Sequence, residues 1–113
     1  MILLWLDDIR NPADQYWHRY FPVPDPDVVW CKSYEEFIEW ISANSLPVAI
    51  CFDHDLGEGA NGYDAAKWLV EYCLDHQLKL PKWAIQSSNP VGKQNIASLL
   101  ESFERATYGS DQG

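Results

Sequence analysis

Four short apolar runs divide the chain and predict the strands of a sheet. They occupy residues 2–6 (ILLWL), 28–31 (VVWC), 48–52 (VAICF) and, more weakly, 83–86 (WAIQ). The runs are continuously apolar, without the alternation of a strand that faces water on one side, and this is typical of parallel strands covered on both faces. We therefore expect a parallel sheet of about four strands.

Three segments between and after these runs show the spacing of amphipathic helices. The first follows a capping box formed by Ser33 and Glu36, and the second begins after Asn61. The third begins after Asn89, with Pro90 in its first turn. The sequence thus predicts a helix after each of the last three strands.

The connection between the first two strands has a different composition. Residues 9–27 contain four prolines and leave room for at most a short helix around 13–20. The alternation β-(short α or loop)-β-α-β-α-β-α predicts a three-layer α/β/α sandwich. Right-handed crossovers give the strand order 2-1-3-4. We expect one domain over residues 1–106 and a flexible tail over 107–113.

Composition and charge narrow the classes of function. The 113 residues suit one compact domain, and the net charge of −9 argues against a basic face that grips duplex DNA. No run reaches the roughly 18 apolar residues of a membrane helix. The apolar stretch at the start of the sequence is too short, and too soon followed by acidic residues, for a signal peptide. We therefore expect a cytoplasmic protein with no membrane partner. The three cysteines form no CxxC pair and are predicted to be reduced thiols in the core.

Acidic residues follow the first and third runs directly. Asp7 and Asp8 end the first, while Asp53, His54 and Asp55 end the third. In the order 2-1-3-4 these two strand ends meet at the switch point, where open α/β sheets bind ligands. Converging carboxylates repel one another, and a divalent cation such as Mg²⁺ or Mn²⁺ relieves the repulsion. The sequence predicts a metal site that uses all four aspartates; the alternative is that Asp7, Asp8 and Asp55 are helix caps or turn residues.

The fourth run ends in QSSNPVGK, which offers donors for an anion. Hydroxyl groups and the backbone amides at a helix start attract anions, and a lysine in the first turn adds charge. An arginine shortly after the first strand is near enough in sequence to join them. The candidate phosphate ligands are Ser87, Ser88, Asn89, Lys93 and Arg10. A metal together with anion donors predicts a small phosphorylated ligand.

Two further groups keep alternative interpretations. His54 has the residue type of a general acid or base, although strand alternation points it away from Asp53; the alternative is a histidine buried in the helix layer. The aromatic residues of the proline-rich connection could pack in the core or stack on a nucleobase. They are Tyr16, Trp17, Tyr20 and Phe21.

The motifs LWLDDIRNP, CFDHDLGEGANGYDAAKWL and QSSNPVGKQNI resemble the cyclic-phosphate processing receiver domain. This family is a divergent branch of the response-regulator receivers, found in bacteria and phages, and the resemblance covers nearly the whole chain. It implies a flavodoxin-like receiver fold that lacks the last β-α unit. It also implies a metal-binding acidic pair at Asp7 and Asp8, a metal-binding phosphoacceptor position at Asp53, and a phosphoryl-contacting hydroxyl at Ser87.

Two positions depart from these patterns. Ordinary receivers carry a lysine on a fifth strand, and Lys93 is the candidate substitute here. The branch is thought to use histidines beside the receiver aspartate and before the serine; His54 fits the first, but the second is Gln86, which cannot shuttle a proton.

The residues and the resemblance together favour metal-dependent binding and hydrolysis of a cyclic phosphate. The substrate would be a cyclic nucleotide or an RNA 2′,3′-cyclic end, with Asp53, His54 and Ser87 as the catalytic residues. One alternative is a signalling module in which Asp53 accepts a phosphoryl group. Another is a module without catalysis that binds a phosphorylated ligand or a protein partner.

Overall fold

A computed structural model describes residues 1–107 and contains one sheet of four parallel strands. In chain order the elements are β1 (Ile2–Leu6), a 3₁₀ helix (Gln15–Tyr20), β2 (Asp27–Cys31), α1 (Tyr34–Asn44), β3 (Ala49–Phe52), α2 (Gly62–His76), β4 (Lys82–Ile85) and α3 (Pro90–Thr107). The strand order is β2-β1-β3-β4, so the predicted order and the receiver-like α/β fold are confirmed.

The predicted N-cap residues are present, but the capping box predicted at Ser33 is only half formed, because the Glu36 carboxylate accepts the N–H of Lys32. The Ser33 hydroxyl accepts the N–H of Glu36 at the start of α1. Asn61 and Asp64 form a reciprocal capping box at the start of α2, each side chain accepting the backbone N–H of the other residue. These local hydrogen bonds satisfy amides that the first helical turn leaves unpaired, which fixes where each helix begins.

One side of the sheet, here called the helix face, carries Leu4, Leu6, Ile50 and Phe52. All four are completely buried, and all three α-helices pack against this side. The buried helix residues around them are mostly aliphatic or aromatic: Phe37, Ile41, Ala65, Ala66, Leu69, Ile96, Leu100 and Phe103. Most of the apolar core therefore lies between the sheet and its helices.

The opposite side, here called the thin face, carries Leu3, Trp5, Ala49 and Cys51. No α-helix of the described residues covers it; the proline-rich connection and its 3₁₀ helix do. The third layer of the predicted sandwich is thus only one short segment thick. Among the aromatic residues of that connection, the partly buried ones pack on this core: Trp17, Tyr20 and Phe21.

Three smaller expectations have different outcomes. The cysteines are free and buried, and burial raises the pKa of Cys31 and Cys73 to about 11 and that of Cys51 to about 12, so they are unreactive thiols. Thr107 still belongs to α3, and residues 108–113 lie outside the described part, so the tail stays a prediction. Within residues 1–107 no helix has the length and apolar character needed to cross a membrane.

Candidate functional site

Two strand ends bring three carboxylates together. Asp7 follows β1 and Asp53 follows β3, and both continue the alternation of the thin face past the last residue of the strand. Asp7 is fully buried and Asp53 is 2% exposed. Asp7, Asp8 and Asp53 each place one carboxylate oxygen within 4.8 Å of the other two. We call this group the acidic cluster.

Backbone and indole hydrogen bonds hold the acidic cluster in place. The Asp7 Oδ1 atom accepts the N–H groups of Ile9 (3.1 Å) and Arg10 (2.8 Å), which turns the chain sharply after β1. The Asp7 carbonyl accepts the indole N–H of Trp30 at 2.7 Å, while the Asp53 N–H donates to the Leu6 carbonyl. The carboxylates therefore project from a fixed frame.

The cluster contains its own cation. The Arg10 Nη1 atom lies 3.3 Å from Asp7 Oδ2 and 3.2 Å from Asp53 Oδ2. Its Nη2 atom donates to the Ser88 hydroxyl at 3.3 Å, and the guanidinium lies 5.3 Å from the centre of the Trp17 ring. Sequence proximity placed Arg10 among the anion donors; in the structure it also bridges the carboxylates.

The electrostatics of Asp53 show that one arginine does not neutralise the cluster. Burial, followed by the charge of Asp7, raises the pKa of Asp53 to about 6, although Arg10 opposes this shift. When all three carboxylates are ionised, one guanidinium leaves two net negative charges at the cluster, and two of the carboxylates are buried. Hard oxygen donors with this charge fit Mg²⁺ or Mn²⁺. The residues present therefore suit the divalent ion that receivers commonly bind.

Two glycines explain how the loop after β3 passes so close to these residues. A side chain at Gly62 would overlap the carbonyl oxygen of Asp53, because the Gly62 N–H donates to the neighbouring carbonyl of His54 at 2.8 Å. Gly57 has a φ of +80°, which favours glycine, and a Cβ atom at this position would contact the carboxylate of Asp8. The loop must therefore be glycine-rich at these two positions.

His54 and Asp55 form a separate pair beside the first turn of α3. The His54 Nδ1 atom is 3.0 Å from Asp55 Oδ1, and the ring packs so closely on Gly92 that any side chain there would overlap it. Asp55 is exposed and lies outside the acidic cluster. The structure thus brings together three of the four predicted metal ligands, and connects the fourth to His54.

Gln86 completes the pocket on the β4 side, and sequence reasoning missed this role. Its Nε2 group donates to the Leu6 carbonyl (3.1 Å) and to Asp7 Oδ2 (3.4 Å). Its Oε1 atom is buried and has no hydrogen-bond partner within the described chain. The sequence position of Gln86 could have indicated this role, because Gln86 follows Ala84 on the thin face in the same way that Asp7 follows Trp5.

The start of α3 offers fewer unpaired amides to an anion than the sequence predicts. Ser87 Oγ accepts the Asn89 N–H, Asn89 Oδ1 accepts the Gly92 N–H, and the Asn89 carbonyl accepts the Lys93 N–H. Most amides expected to bind an anion therefore already have acceptors. Lys93 is exposed and forms no ion pair with any described residue. Arg10, and not Lys93, is the cation at the cluster.

A groove of about 780 Å³ lies elsewhere, along the proline-rich connection. Its lining includes Pro12, His18, Val28 and Phe21, one of the aromatic candidates for base stacking, but no predicted catalytic, metal-binding or phosphate-binding residue. The geometry of the acidic cluster, and not the size of this cavity, identifies the candidate site.

Solved structures show the same fold. The N-terminal domain of a response regulator/sensory box/GGDEF 3-domain protein from Carboxydothermus hydrogenoformans matches with a TM-score of 0.57 and 18% identity, and the match covers 100% of both chains. A fusion that carries the yeast Spc42 trimeric coiled coil matches with a TM-score of 0.59 and 21% identity. That match covers 87% of this chain, which spans only 61% of the fusion.

The comparison with curated proteins finds no match. The family model described as "Cyclic-phosphate processing Receiver domain" matches residues 2–102, nearly all of the described chain. Together with the strand order and the acidic strand ends, this match shows that the chain belongs to the family of cyclic-phosphate processing receiver domains.

Proposed function

We propose that this domain binds a cyclic phosphate at the acidic cluster and hydrolyses one of its P–O ester bonds. The substrate would be a cyclic nucleotide or an RNA end that carries a 2′,3′-cyclic phosphate. One observation carries the proposal: the Arg10 guanidinium contacts Asp7 and Asp53 on one side and Ser88 on the other. Metal ligands and an anion donor thus share one network, and the family match supports a cyclic phosphate as the anion.

The three clustered aspartates would hold the divalent ion. When bound, Mg²⁺ or Mn²⁺ polarises the phosphoryl oxygens and lowers the pKa of a bound water. Gln86 supports this arrangement because its Nε2–H₂ group donates to Asp7 and limits where that carboxylate can turn. Residues outside the pocket then have to bind the phosphate and move the protons.

The serines are suited to bind the non-bridging phosphate oxygens. Ser87 Oγ accepts the N–H of Asn89, and Ser88 Oγ accepts an N–H of Arg10. Since each hydroxyl oxygen already accepts a hydrogen bond, each hydroxyl hydrogen is directed elsewhere and can donate to an anion. In this proposal Arg10 contributes charge at the same place.

Hydrolysis requires a group that handles protons. A water oxygen bonds to phosphorus, one ester P–O bond breaks, the water loses a proton and the departing sugar oxygen gains one. The product is a phosphomonoester with a free hydroxyl. Asp55 can accept the Nδ1–H of His54, which leaves Nε2 as the basic nitrogen of the neutral ring. We assign the proton transfer to His54 and a positioning role to Asp55.

A second function is supported by the same arginine. If Asp53 accepts a phosphoryl group as in signalling receivers, the acyl phosphate needs a nearby cation. Arg10 lies 3.2 Å from the Asp53 carboxylate and can serve in that role. Protein partners would then recognise the phosphorylated state.

One set of incubations separates these functions. The protein is incubated with Mg²⁺ and either 2′,3′-cyclic nucleotides, 3′,5′-cyclic nucleotides or acetyl phosphate, beside Asp53→Asn, His54→Ala and the control Asp75→Asn, an exposed residue of α2. Hydrolysis predicts an opened nucleotide from the wild type and the control, none from Asp53→Asn and much less from His54→Ala. A mass gain of one phosphate from acetyl phosphate favours the signalling function. Recovery of every nucleotide intact contradicts hydrolysis.

A further inference from the structure

We propose that Arg10 is an exchangeable counter-ion. It neutralises Asp7 and Asp53 when no divalent ion is bound, and when the ion enters it leaves these carboxylates and stays beside Ser88 to hold the phosphate. The inference rests on the metal site of the proposed function, but it requires no hydrolysis. It makes phosphate binding conditional on the metal.

The first step is competition for the same atoms. Arg10 Nη1 contacts Oδ2 of Asp7 and Oδ2 of Asp53, so it lies between the two buried carboxylates. A divalent ion held by those carboxylates would compete with the guanidinium for the same oxygen atoms. Two cations this close repel each other strongly in a poorly hydrated pocket. Metal binding therefore requires the guanidinium to withdraw.

The second step is that the guanidinium already makes the contacts that would hold it after it leaves the carboxylates. Arg10 Nη2 donates to Ser88 Oγ, and the guanidinium lies over the Trp17 ring at 5.3 Å. A cation over an indole face retains a favourable interaction even after its carboxylate partners are lost. A small movement of the side chain can thus break the carboxylate contacts and keep those with Ser88 and Trp17.

The third step is that only the side chain has to move. The Arg10 N–H donates to Asp7 Oδ1, and the Arg10 carbonyl accepts the indole N–H of Trp5 at 2.9 Å. These bonds hold the backbone at both sides of the residue. Near Ser88, a planar guanidinium can bind two phosphate oxygens at once, which suits arginine better than lysine.

Binding of Mn²⁺ alone tests the competition. We compare the wild type with Arg10→Met, which removes the charge, with Arg10→Lys, which keeps it, and with Arg19→Met, a control whose guanidinium lies over Tyr16 and contacts no carboxylate in the described chain. Removal of a competing cation should tighten Mn²⁺ binding by about tenfold or more. Arg10→Met alone should show this gain. An equal or weaker affinity in a folded Arg10→Met overturns the proposal.

Binding of inorganic phosphate tests the second position. In saturating Mn²⁺ the wild type should bind phosphate at least about tenfold more tightly than Arg10→Met, whereas without metal the two should differ little. Equal phosphate affinity in the metal-loaded proteins overturns the proposal.

Nuclear magnetic resonance observes the exchange directly. The chain has only three arginines, Arg10, Arg19 and Arg105, so their side-chain Nε–H signals are few and can be assigned with the variants. Added Mg²⁺ should shift the Arg10 signal and leave that of Arg19 in place; an unmoved Arg10 signal at metal saturation contradicts the exchange. These tests use no cyclic nucleotide. If the Arg10 exchange is observed but no cyclic nucleotide is cleaved, only the proposed hydrolysis is refuted. If neither the wild type nor any variant binds metal, both proposals fail.

Discussion

The two faces of the sheet end in different chemistry. On the helix face, strands β1, β3 and β4 end in Leu6, Phe52 and Ile85, all buried under α-helices. On the thin face, the next residue of each strand is polar: Asp7, Asp53 and Gln86. Strand alternation makes each pair of neighbours point in opposite directions. The helix face thus carries most of the buried apolar core, whereas the thin face carries the polar residues of the candidate site.

The largest expected effect on stability comes from the helix face. Replacing the fully buried Phe52 by alanine should lower the free energy of unfolding by about 4 kcal/mol, because it leaves a cavity among close-packed side chains. Urea denaturation measures this change. A loss below about 1 kcal/mol would mean that the helix face does not carry the stability of the domain.

Asp53, the next residue after Phe52, lies on the thin face and should lower the stability of the metal-free domain at neutral pH. The pKa of Asp53 is raised to about 6 from 3.8, so the fold favours its protonated form. The stability gained from protonated Asp53 is fully present below the unfolded pKa of 3.8 and is lost as the pH rises through about 6. The free energy of unfolding of the metal-free protein should therefore fall by up to about 3 kcal/mol between mildly acidic and neutral pH.

Asp53→Asn is the matched control for this pH dependence. The variant should lack that part of the slope and should be more stable than the metal-free wild type at neutral pH. Saturating Mg²⁺ should restore stability to the wild type only. Parallel pH profiles for the two proteins would show that Asp53 is not electrostatically strained.

A smaller loss is expected from the cover of the thin face. Phe21 is only partly buried, although it packs edge-on against Trp5 at 5.8 Å. Phe21→Ala should cost about 2 kcal/mol, roughly half the effect of Phe52→Ala. Equal losses for the two substitutions, measured in the same urea titrations, would remove the distinction between the faces.

The smallest effect tests the contact between His54 and α3. Gly92→Ala would place a methyl group in the space of the His54 ring, so the ring must turn aside, and the better helix propensity of alanine offsets part of this cost. We expect the free energy of unfolding to fall by about 1 kcal/mol. In the His54→Ala background, Gly92→Ala should no longer cause this loss. An unchanged loss in the double variant would show that the ring does not lie where the structure has it.

Much of the fold was predictable because it depends on local patterns. Continuous apolar runs gave the strands, Ser33 and Asn61 gave two helix starts, and the handedness of crossovers gave the strand order. The convergence of Asp7 and Asp53 followed from that order alone. These features require only nearest-neighbour chemistry and topology.

The contacts inside the site were not predictable in the same way. Arg10 meets Asp53 across 43 positions of sequence, and its place depends on how the connection after β1 folds to bring Trp17 beside it. Lys93 had the right charge in the right turn, but it projects from an exposed position of α3. Side-chain direction on a helix start, and packing between distant segments, decide which cation reaches the carboxylates.

Calorimetric titration with Mn²⁺, at a pH above the pKa of Asp53, tests the acidic cluster as a metal site most directly. The wild type and Asp75→Asn should each bind one ion per chain, and Asp53→Asn should lose the heat of binding, because it removes one of three clustered carboxylates. Absence of heat with the wild type, or equal binding by Asp53→Asn, would contradict the assignment.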